Sequence, residues 1–312
     1  MIIYTKKFVI VDKTIIDGRG SGGRNSCIAR PTPSCSILVR KMAVSLAALA
    51  FDAVAPHFDA RFGGWLSVGA QRRAVRRTLL RTMPRSARVL ELGGGTGEDA
   101  VWMSQNGFEV LLTDASEAMV TVAQTKLGPY GAQALVAAAE ELPEFARAHS
   151  ARGGRPFDAA LSNFAPLNCV SDLGPVARGL AALIRPGGHA MLVLFGCHSP
   201  GEMLVEALRG RPRHALRRLA HGPIPAGIGG NEFAVTYHRG RELKLAMAPW
   251  FRLNRRVGIG IFVPPSAAEP WISRHPNLLK ALEVLDRLAE RPLAHLGDHI
   301  LYQFERTQIS AP

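Results

Sequence analysis

The stretch from Arg88 to Val101, which reads RVLELGGGTGEDAV, limits what the chain can fold into more than any other. A short apolar run breaks at Gly93, Gly94, Gly95 and Gly97, and a helical pattern resumes behind Glu98 and Asp99. A strand, a tight turn and a helix N-terminus follow from this. Glycine adopts positive φ freely and lets a ligand approach the backbone, and the first turn of a helix offers unpaired N–H groups to a polar ligand. Spacing separates three nucleotide-site readings. A P-loop needs Lys and then Ser or Thr after its last glycine, and the sequence has neither. A dinucleotide G-x-G-x-x-G begun at Gly93 and Gly95 puts Glu98 where a small residue must pack helix on strand. The pattern that remains is Glu91-x-Gly93-x-Gly95-x-Gly97.

The next apolar run, Phe108 to Thr113, ends on an acid, Asp114, at the distance a strand–helix–strand unit requires. Further strands are expected near 134–138, 158–162 and 189–195, separated by helical stretches of which Asp172–Ile184 is the clearest. This alternation predicts a parallel sheet with helices on both faces. The loops after Leu92, Thr113, Ala138 and Leu161 then converge outside the carboxyl ends of the strands, where such sheets bind ligands. Beyond Phe195 the pattern predicts a helix over 201–219, a Gly/Pro loop over 222–230, a strand over 233–238 and a helix over 242–248. An apolar run over 257–263 follows. A helix over 276–290 turns Leu278, Leu282, Leu285 and Leu288 to one face, and a strand over 299–305 closes the chain.

The formal charge of +13 suggests nucleic acid until it is located. Residues 1–41 carry eight Lys/Arg against Asp12 and Asp17, a net +6, which leaves +7 for the rest. That segment has no sustained period and is rich in Gly, Ser, Arg and Pro. It reads as disordered and outside the working protein, with Met42 as the natural start. Arg40-Lys41 followed by Ala43–Phe51 and Ala53-Val-Ala55 has the outline of a secretory leader. However, Val44, Ala48, Phe51, Ala55, Phe58 and Phe62 continue one helical face past the supposed cut. A second helix, over 66–82, carries Arg72, Arg73, Arg76, Arg77 and Arg81, which read as a solvated face. Cys27, Cys35, Cys169 and Cys197 form no CxxC pair, and a reduced, cytoplasmic setting fits them. Aromatic residues make up 7% and do not interleave with the basic patches, which argues against a nucleic-acid platform.

Glu91-x-Gly93-x-Gly95-x-Gly97, Asp114, Ala138-Ala-Glu-Glu-Leu-Pro143, Ser162-Asn163-Phe164-Ala165 and Ile184-Arg-Pro-Gly-Gly188 together resemble the motifs of class I S-adenosylmethionine-dependent methyltransferases over roughly residues 45–306. The resemblance implies an α/β, doubly wound, mostly parallel seven-stranded sheet of the Rossmann-like methyltransferase type. It also implies N-terminal helices folded over the cofactor and a substrate cap at about 198–250 and 264–296. S-adenosyl-L-methionine would be held by Glu91, Gly93, Gly95, Thr96, Gly97, Asp114, Ser116, Met119, Glu140 and Asn163. Asp114 would take the ribose hydroxyls as a bidentate acceptor, or else cap the helix behind it. Phe58, Phe62 and Phe164 would wall the substrate pocket. Ala138 stands where an aspartate is common in the family, which leaves Glu140 or backbone groups for the adenine amine. Ser162-Asn163-Phe164-Ala165 departs from the motif of the amino-methylating DNA enzymes.

Methyl transfer from a sulfonium is an in-line displacement with a good leaving group, so alignment and exclusion of water come first. A phenolic acceptor needs a base, and an amine or carbon acceptor less. Among His57, His198, His214, His221, His238 and His299, the segments of His57 and His238 are expected to edge the pocket. No His/Asp/Glu cluster suggests a metal. Three readings follow: methyl transfer to an oxygen, nitrogen or carbon of a small, largely apolar metabolite; methylation of an acyl chain on an acidic carrier protein docked at the Arg-rich segment 209–218; and a non-catalytic cofactor-binding protein of the same fold.

Overall fold

The computed structural model describes residues 45–308, so the expectations for residues 1–41 and the Met42 start lie outside the described residues. The first helices are α1 (Leu46–Asp52) and α2 (Phe58–Phe62), joined by a single 3-10 turn, and α3 (Leu66–Thr82) follows. The single amphipathic helix expected over the first two is broken. Pro56 has no N–H to continue the helix, and its ring excludes the carbonyl four residues back. The sheet elements come next: β1 (Arg88–Leu92), α4 (Glu98–Gln105), β2 (Glu109–Asp114), α5 (Glu117–Leu127), β3 (Gln133–Val136), α6 (Leu142–Ala151), β4 (Phe157–Ser162), α7 (Leu173–Leu183) and β5 (Ile184–Phe195). The C-terminal part holds α8 (Pro200–Leu208), α9 (Pro212–Ala215), β6 (Pro223–Ile228), β7 (Asn231–Thr236), α10 (Gly240–Met247), β8 (Phe251–Ile259), α11 (Glu269–Ile272), α12 (Pro276–Ala289) and β9 (His299–Arg306).

The large sheet has seven strands in the order β3-β2-β1-β4-β5-β9-β8, as the resemblance implies. β1 to β5 are parallel, and β9 runs antiparallel between β5 and β8. Alternate residues of each strand feed opposite cores. Leu90, Leu92, Leu192 and Leu194 pack with α6, α7 and α10, while Val89, Leu112, Met191 and Val193 pack with α3, α4 and α5. The expected reversal at 184–188 is drawn into β5 as a bulge, with Gly187 at φ 76°.

The C-terminal half departs from the sequence reading in four places. The helix expected over 201–219 stops at Leu208, where Gly210 takes φ 71° and Pro212 opens α9. The expected Gly/Pro loop is β6, paired with β7 through Gly229-Gly230 at φ 59° and 88°, since left-handed residues suit the twist of a two-residue hairpin. The apolar run 257–263 ends as strand at Ile259. The turn after it donates N–H groups of Gly260 and Phe262 to the Asp286 carboxylate at 3.1 and 2.6 Å. That demand rotates α12, which buries Leu279, Glu283, Asp286 and Ala289; of the expected face Leu282 packs half-buried on the core, while Leu278, Leu285 and Leu288 are exposed. The arginines of α3 are a solvated face only in part, with Arg73 and Arg81 exposed. Arg73 pairs with Glu283 at 2.6 Å, and Arg72 and Arg76 turn inward onto Asp99. No described helix is long and apolar enough to cross a membrane.

Candidate cofactor site

The glycine loop sits at the carboxyl end of β1, in contact with the loops after β2 and β4. Gly93 and Gly94 donate their N–H groups to the Thr113 carbonyl at 2.8 and 3.2 Å. Gly95 donates to Asp114 Oδ2 at 2.8 Å, and Ser116 N donates to Asp114 Oδ1 at 2.9 Å. Two glycines are required for different reasons. At Gly93 (φ 62°) a Cβ would stand 2.4 Å from the Pro166 side chain, so its absence lets the β1 and β4 loops interlock. At Gly95 (φ 56°) a Cβ would meet nothing within 4 Å and would project into open space, where a ligand needs room.

A cavity lies above this loop. Its floor is Gly93 to Thr96, its flank Asp114, Met119 and Glu140, and its far wall Asn163, Phe164 and Leu167. Its roof is Phe51, Phe58 and Phe62. Of the expected cofactor residues, Glu91, Gly93, Gly95, Thr96, Asp114, Met119, Glu140 and Asn163 face it, as do Phe58, Phe62 and Phe164. Gly97 and Ser116 do not. Gly97 (φ 82°) opens α4 where a Cβ would crowd Ala123 at 3.2 Å. Ser116, fully buried, is the N-cap of α5, accepting from Met119 N at 3.1 Å; the cap alternative for Asp114 therefore falls to its neighbour. Neither favoured histidine reaches the cavity. His57 is exposed at the start of α2, and His238 is buried with its ring Nε2 2.7 Å from the Val170 carbonyl, in a separate cleft beside His221 and Arg239. Among the described residues the cavity lining ends at Val170, so the segments 198–250 and 264–296 expected as cap do not contribute side chains to it. The hairpin of 223–236 supports the roof from outside, with Phe233 5.8 Å from Phe51 between ring centroids.

The charges around the floor are arranged about Asp99, which is 3% exposed. Its carboxylate receives Arg72 Nη1 and Arg76 Nε, each at 2.8 Å, and Asn163 Nδ2 at 2.8 Å. Burial alone would raise the Asp99 carboxyl, but the two guanidiniums outweigh it and hold the group below the ordinary carboxylate range. Arg72 also lies over the Phe164 ring, 4.8 Å from its centroid. Phe164 and Ala165 both take left-handed backbone, φ 60° and 63°. Such strain in non-glycine residues persists only where the surroundings over-determine it, and here the Asn163 Oδ1 bond from Phe164 N and the Gly93–Pro166 contact fix the turn. The arginines were open to sequence reasoning in one respect. Positions 72 and 76 are four apart on a helix, so both can meet one carboxylate.

Glu91 is different. It is 2% exposed, faces the cavity, and its Oε2 has no hydrogen-bond partner. Burial, and next the charge of Asp99, raise its carboxyl well above its ordinary value of 4.5. A ligand bringing an ammonium group to the cavity floor would complete it, and the methionine amino group of S-adenosylmethionine is such a group. A group whose folded value is raised stabilises the fold fully below the unfolded value and loses that contribution as pH rises through the folded value. Glu91→Gln is therefore expected to retain more stability than the parent as pH rises from about 4.5 toward neutrality. Thermal melting across pH checks this, and parallel curves for the two proteins would contradict it.

The sheet order, the glycine loop and the acid after β2 define a class I, Rossmann-like, S-adenosylmethionine-dependent methyltransferase. The model of a family described as a methyltransferase domain matches residues 68–247, and the chain belongs to that family. Curated relatives include the tRNA 5-carboxymethoxyuridine methyltransferases of Escherichia coli K12 and O157:H7. Each is 29% identical over 157 residues, 47% of this chain and 57% of the relative, so the chain spans little more than half the length of the curated relatives it matches. Among solved structures, the cyclase SpnF superposes with a TM-score of 0.54 at 16% identity, covering 84% of this chain and 96% of that one. The CcbJ methyltransferase of Streptomyces caelestis gives 0.52 at 16% identity, covering 83% and 98%. These likenesses establish the fold, and the presence of a cyclase among them means that the fold alone does not name a substrate.

Proposed function

We propose that the protein transfers the methyl group of S-adenosylmethionine to an oxygen, nitrogen or carbon nucleophile of a small, largely apolar acceptor held beneath α1 and α2. The observation that carries this reading is the composition of the roof and far wall. Phe51, Phe58, Phe62 and Val68 face Leu167, Cys169 and Val170 across the cavity, so an acceptor entering there leaves water for an apolar surface. The bound cofactor supplies an electrophilic methyl group. The residues supply position: Asp114 for the ribose, Glu91 and Arg72 for the charged amino and carboxyl ends, and Asn163 and Phe164 for the side from which the acceptor approaches. Burial raises the Cys169 thiol to about 12, so it faces the acceptor as a neutral, apolar group.

With the cavity lined by no histidine among the described residues, catalysis in this reading rests on alignment and water exclusion. His57→Ala is expected to leave methyl transfer within about twofold, whereas loss of a true base costs about 10²–10⁴-fold. Rate measurement on the variant decides this. The carrier-protein alternative draws little support from the arginines expected to dock it. Arg217 and Arg218 pair with Glu202, Arg218 also with Asp298, and Arg209 and Arg211 lie against Glu206, which leaves Arg213, exposed, outside these pairs. Methyl-labelled cofactor incubated with the protein and a fractionated cell extract tests the acceptor class. Label is expected in the solvent-extractable small-molecule fraction, and label confined to RNA or to protein would contradict the proposal.

A further inference from the structure

We propose that Asp52 and Asp59 form a two-point latch that ties the roof over the site to the two loops that hold the cofactor, and that this latch sets how long bound cofactor stays. The proposal rests on the cofactor site described above. Asp52, the last residue of α1, accepts hydrogen bonds on Oδ1 from Ser116 Oγ at 2.6 Å and from Ala118 N at 3.0 Å, in the first turn of α5. Asp59, in α2, accepts from Thr96 Oγ1 at 2.6 Å and pairs with Lys126 Nζ at 2.5 Å. The two points of attachment flank the Gly95 N to Asp114 Oδ2 bond that joins the glycine loop to the acid after β2. Neither carboxylate is used by the fold of the sheet. Both reach out of the roof to the loops a ligand must touch.

The roof is built to separate along this seam. Its apolar core, Ala50, Phe62, Phe233, Val235 and Tyr237 with Phe51 and Phe58, is a cluster separate from the two cores that flank the sheet and meets the loop after β4 at Cys169 and the end of β5 at Phe195. Its aromatic rings form a chain, with Phe51 6.4 Å from Phe58, Phe58 4.9 Å from Phe62 and Phe62 5.3 Å from Trp65 between centroids. Water can take over hydrogen bonds when a polar seam opens, so such a seam parts at lower cost than an apolar cluster. The joint on the far side is also marked. Leu66 N and Ser67 N are fixed by the Glu269 carboxylate at 2.7 and 3.1 Å, while Gly63 and Gly64 just before them are exposed and a Cβ on Gly64 would meet nothing within 4 Å. A roof hinged at Gly64, just past the Gly63 cap of α2, and latched at Asp52 and Asp59 opens to admit cofactor and closes on it.

The test uses S-adenosylhomocysteine as the probe. Its dissociation rate is measured by stopped-flow displacement, with hydrogen exchange of residues 46–62 followed in parallel. In Asp52→Asn/Asp59→Asn the dissociation rate is expected to rise about tenfold, since three hydrogen bonds to carboxylates become weaker neutral ones and the Lys126 ion pair is lost, and the protection of 46–62 induced by the ligand is expected to disappear. Lys126→Met, which removes the α5 cation shared by Asp59 and Glu98 and leaves the roof sequence intact, is expected to show a rise of about threefold, with Glu98→Gln, which breaks only the other pair, within twofold of the parent; the lysine variant serves if the double variant is poorly folded. Dissociation within twofold of the parent in Lys126→Met, and in the double variant where it folds, would overturn the latch. Failure of the parent protein to bind S-adenosylhomocysteine at all would instead overturn the cofactor site on which the latch rests.

Discussion

Asp114→Ala is expected to weaken S-adenosylmethionine binding by about two to three orders of magnitude, measured by titration calorimetry, without unfolding the protein. Two losses add. A carboxylate that accepts ribose hydroxyls contributes roughly 1.5–3 kcal/mol per charge-assisted bond, and each 1.4 kcal/mol is about tenfold in affinity. The same side chain also holds Gly95 N at 2.8 Å and Ser116 N at 2.9 Å, so its removal loosens the glycine loop and the start of α5 together. Burial raises the Asp114 carboxyl, and the N–H groups of Ser116 and Gly95 pull it back. Asp114→Asn keeps one carbonyl acceptor for the backbone and is expected to lose only about tenfold. An alanine variant that binds within threefold of the parent would remove Asp114 from the site.

Asp298→Ala is expected to destabilise the protein by about 3 kcal/mol, because it removes one of the two carboxylates that pair with a buried guanidinium and leaves Glu202 to compensate it. Arg218, 7% exposed, donates to the Gly196 and Asp298 carbonyls at 3.1 and 2.7 Å and to Asp298 Oδ1 at 2.8 Å, pairs with Glu202, and lies 4.8 Å over the Phe195 ring. This one side chain staples the segment after β5 to the start of β9. Burial by itself would raise Asp298, but the charge of Arg218, and next that of His299, hold it far below the ordinary carboxylate range. The sign follows: the stabilisation is fully present above the ordinary carboxylate value of 3.8 and is lost as pH falls below it. Thermal melting should show a drop of roughly 10 °C for the alanine variant at neutral pH, narrowing in acid. A drop under about 2 °C would show that Glu202 and the two backbone carbonyls satisfy Arg218 without the Asp298 carboxylate.

Much of the fold and of the site is legible in the sequence. The strand–turn–helix at 88–101 and the acid at 114 are local signals, since a glycine loop and a strand end fix their own geometry, and they brought eight expected cofactor residues to one cavity. The helix expected over roughly 66–82 is α3, Leu66–Thr82. Where the reading failed, the deciding partner lay far off in sequence. The face of α12 is set by the unpaired amides of 260–263, which overrule the leucine spacing. Arg72 and Arg76 of α3 are turned inward by Asp99, a partner that the helical period by itself does not name. The histidines carry chemistry in principle, but nothing in sequence says whether a ring faces a cavity or, like that of His238, a backbone carbonyl. The roof latch was illegible for the same reason: Asp52 and Ser116 are 64 positions apart.

The central claim is that one site, floored by Gly93 to Thr96 and roofed by Phe51, Phe58 and Phe62, holds the cofactor with its ribose on Asp114 and its amino end at Glu91. A crystal structure of the protein with S-adenosylhomocysteine bound tests it most directly. The account predicts both ribose hydroxyls within hydrogen-bond distance of the Asp114 carboxylate, the amino group against Glu91, and the sulfur facing Asn163 and Phe164 beneath the phenylalanine roof. Ligand bound elsewhere, or bound here with its ribose away from Asp114, would contradict it.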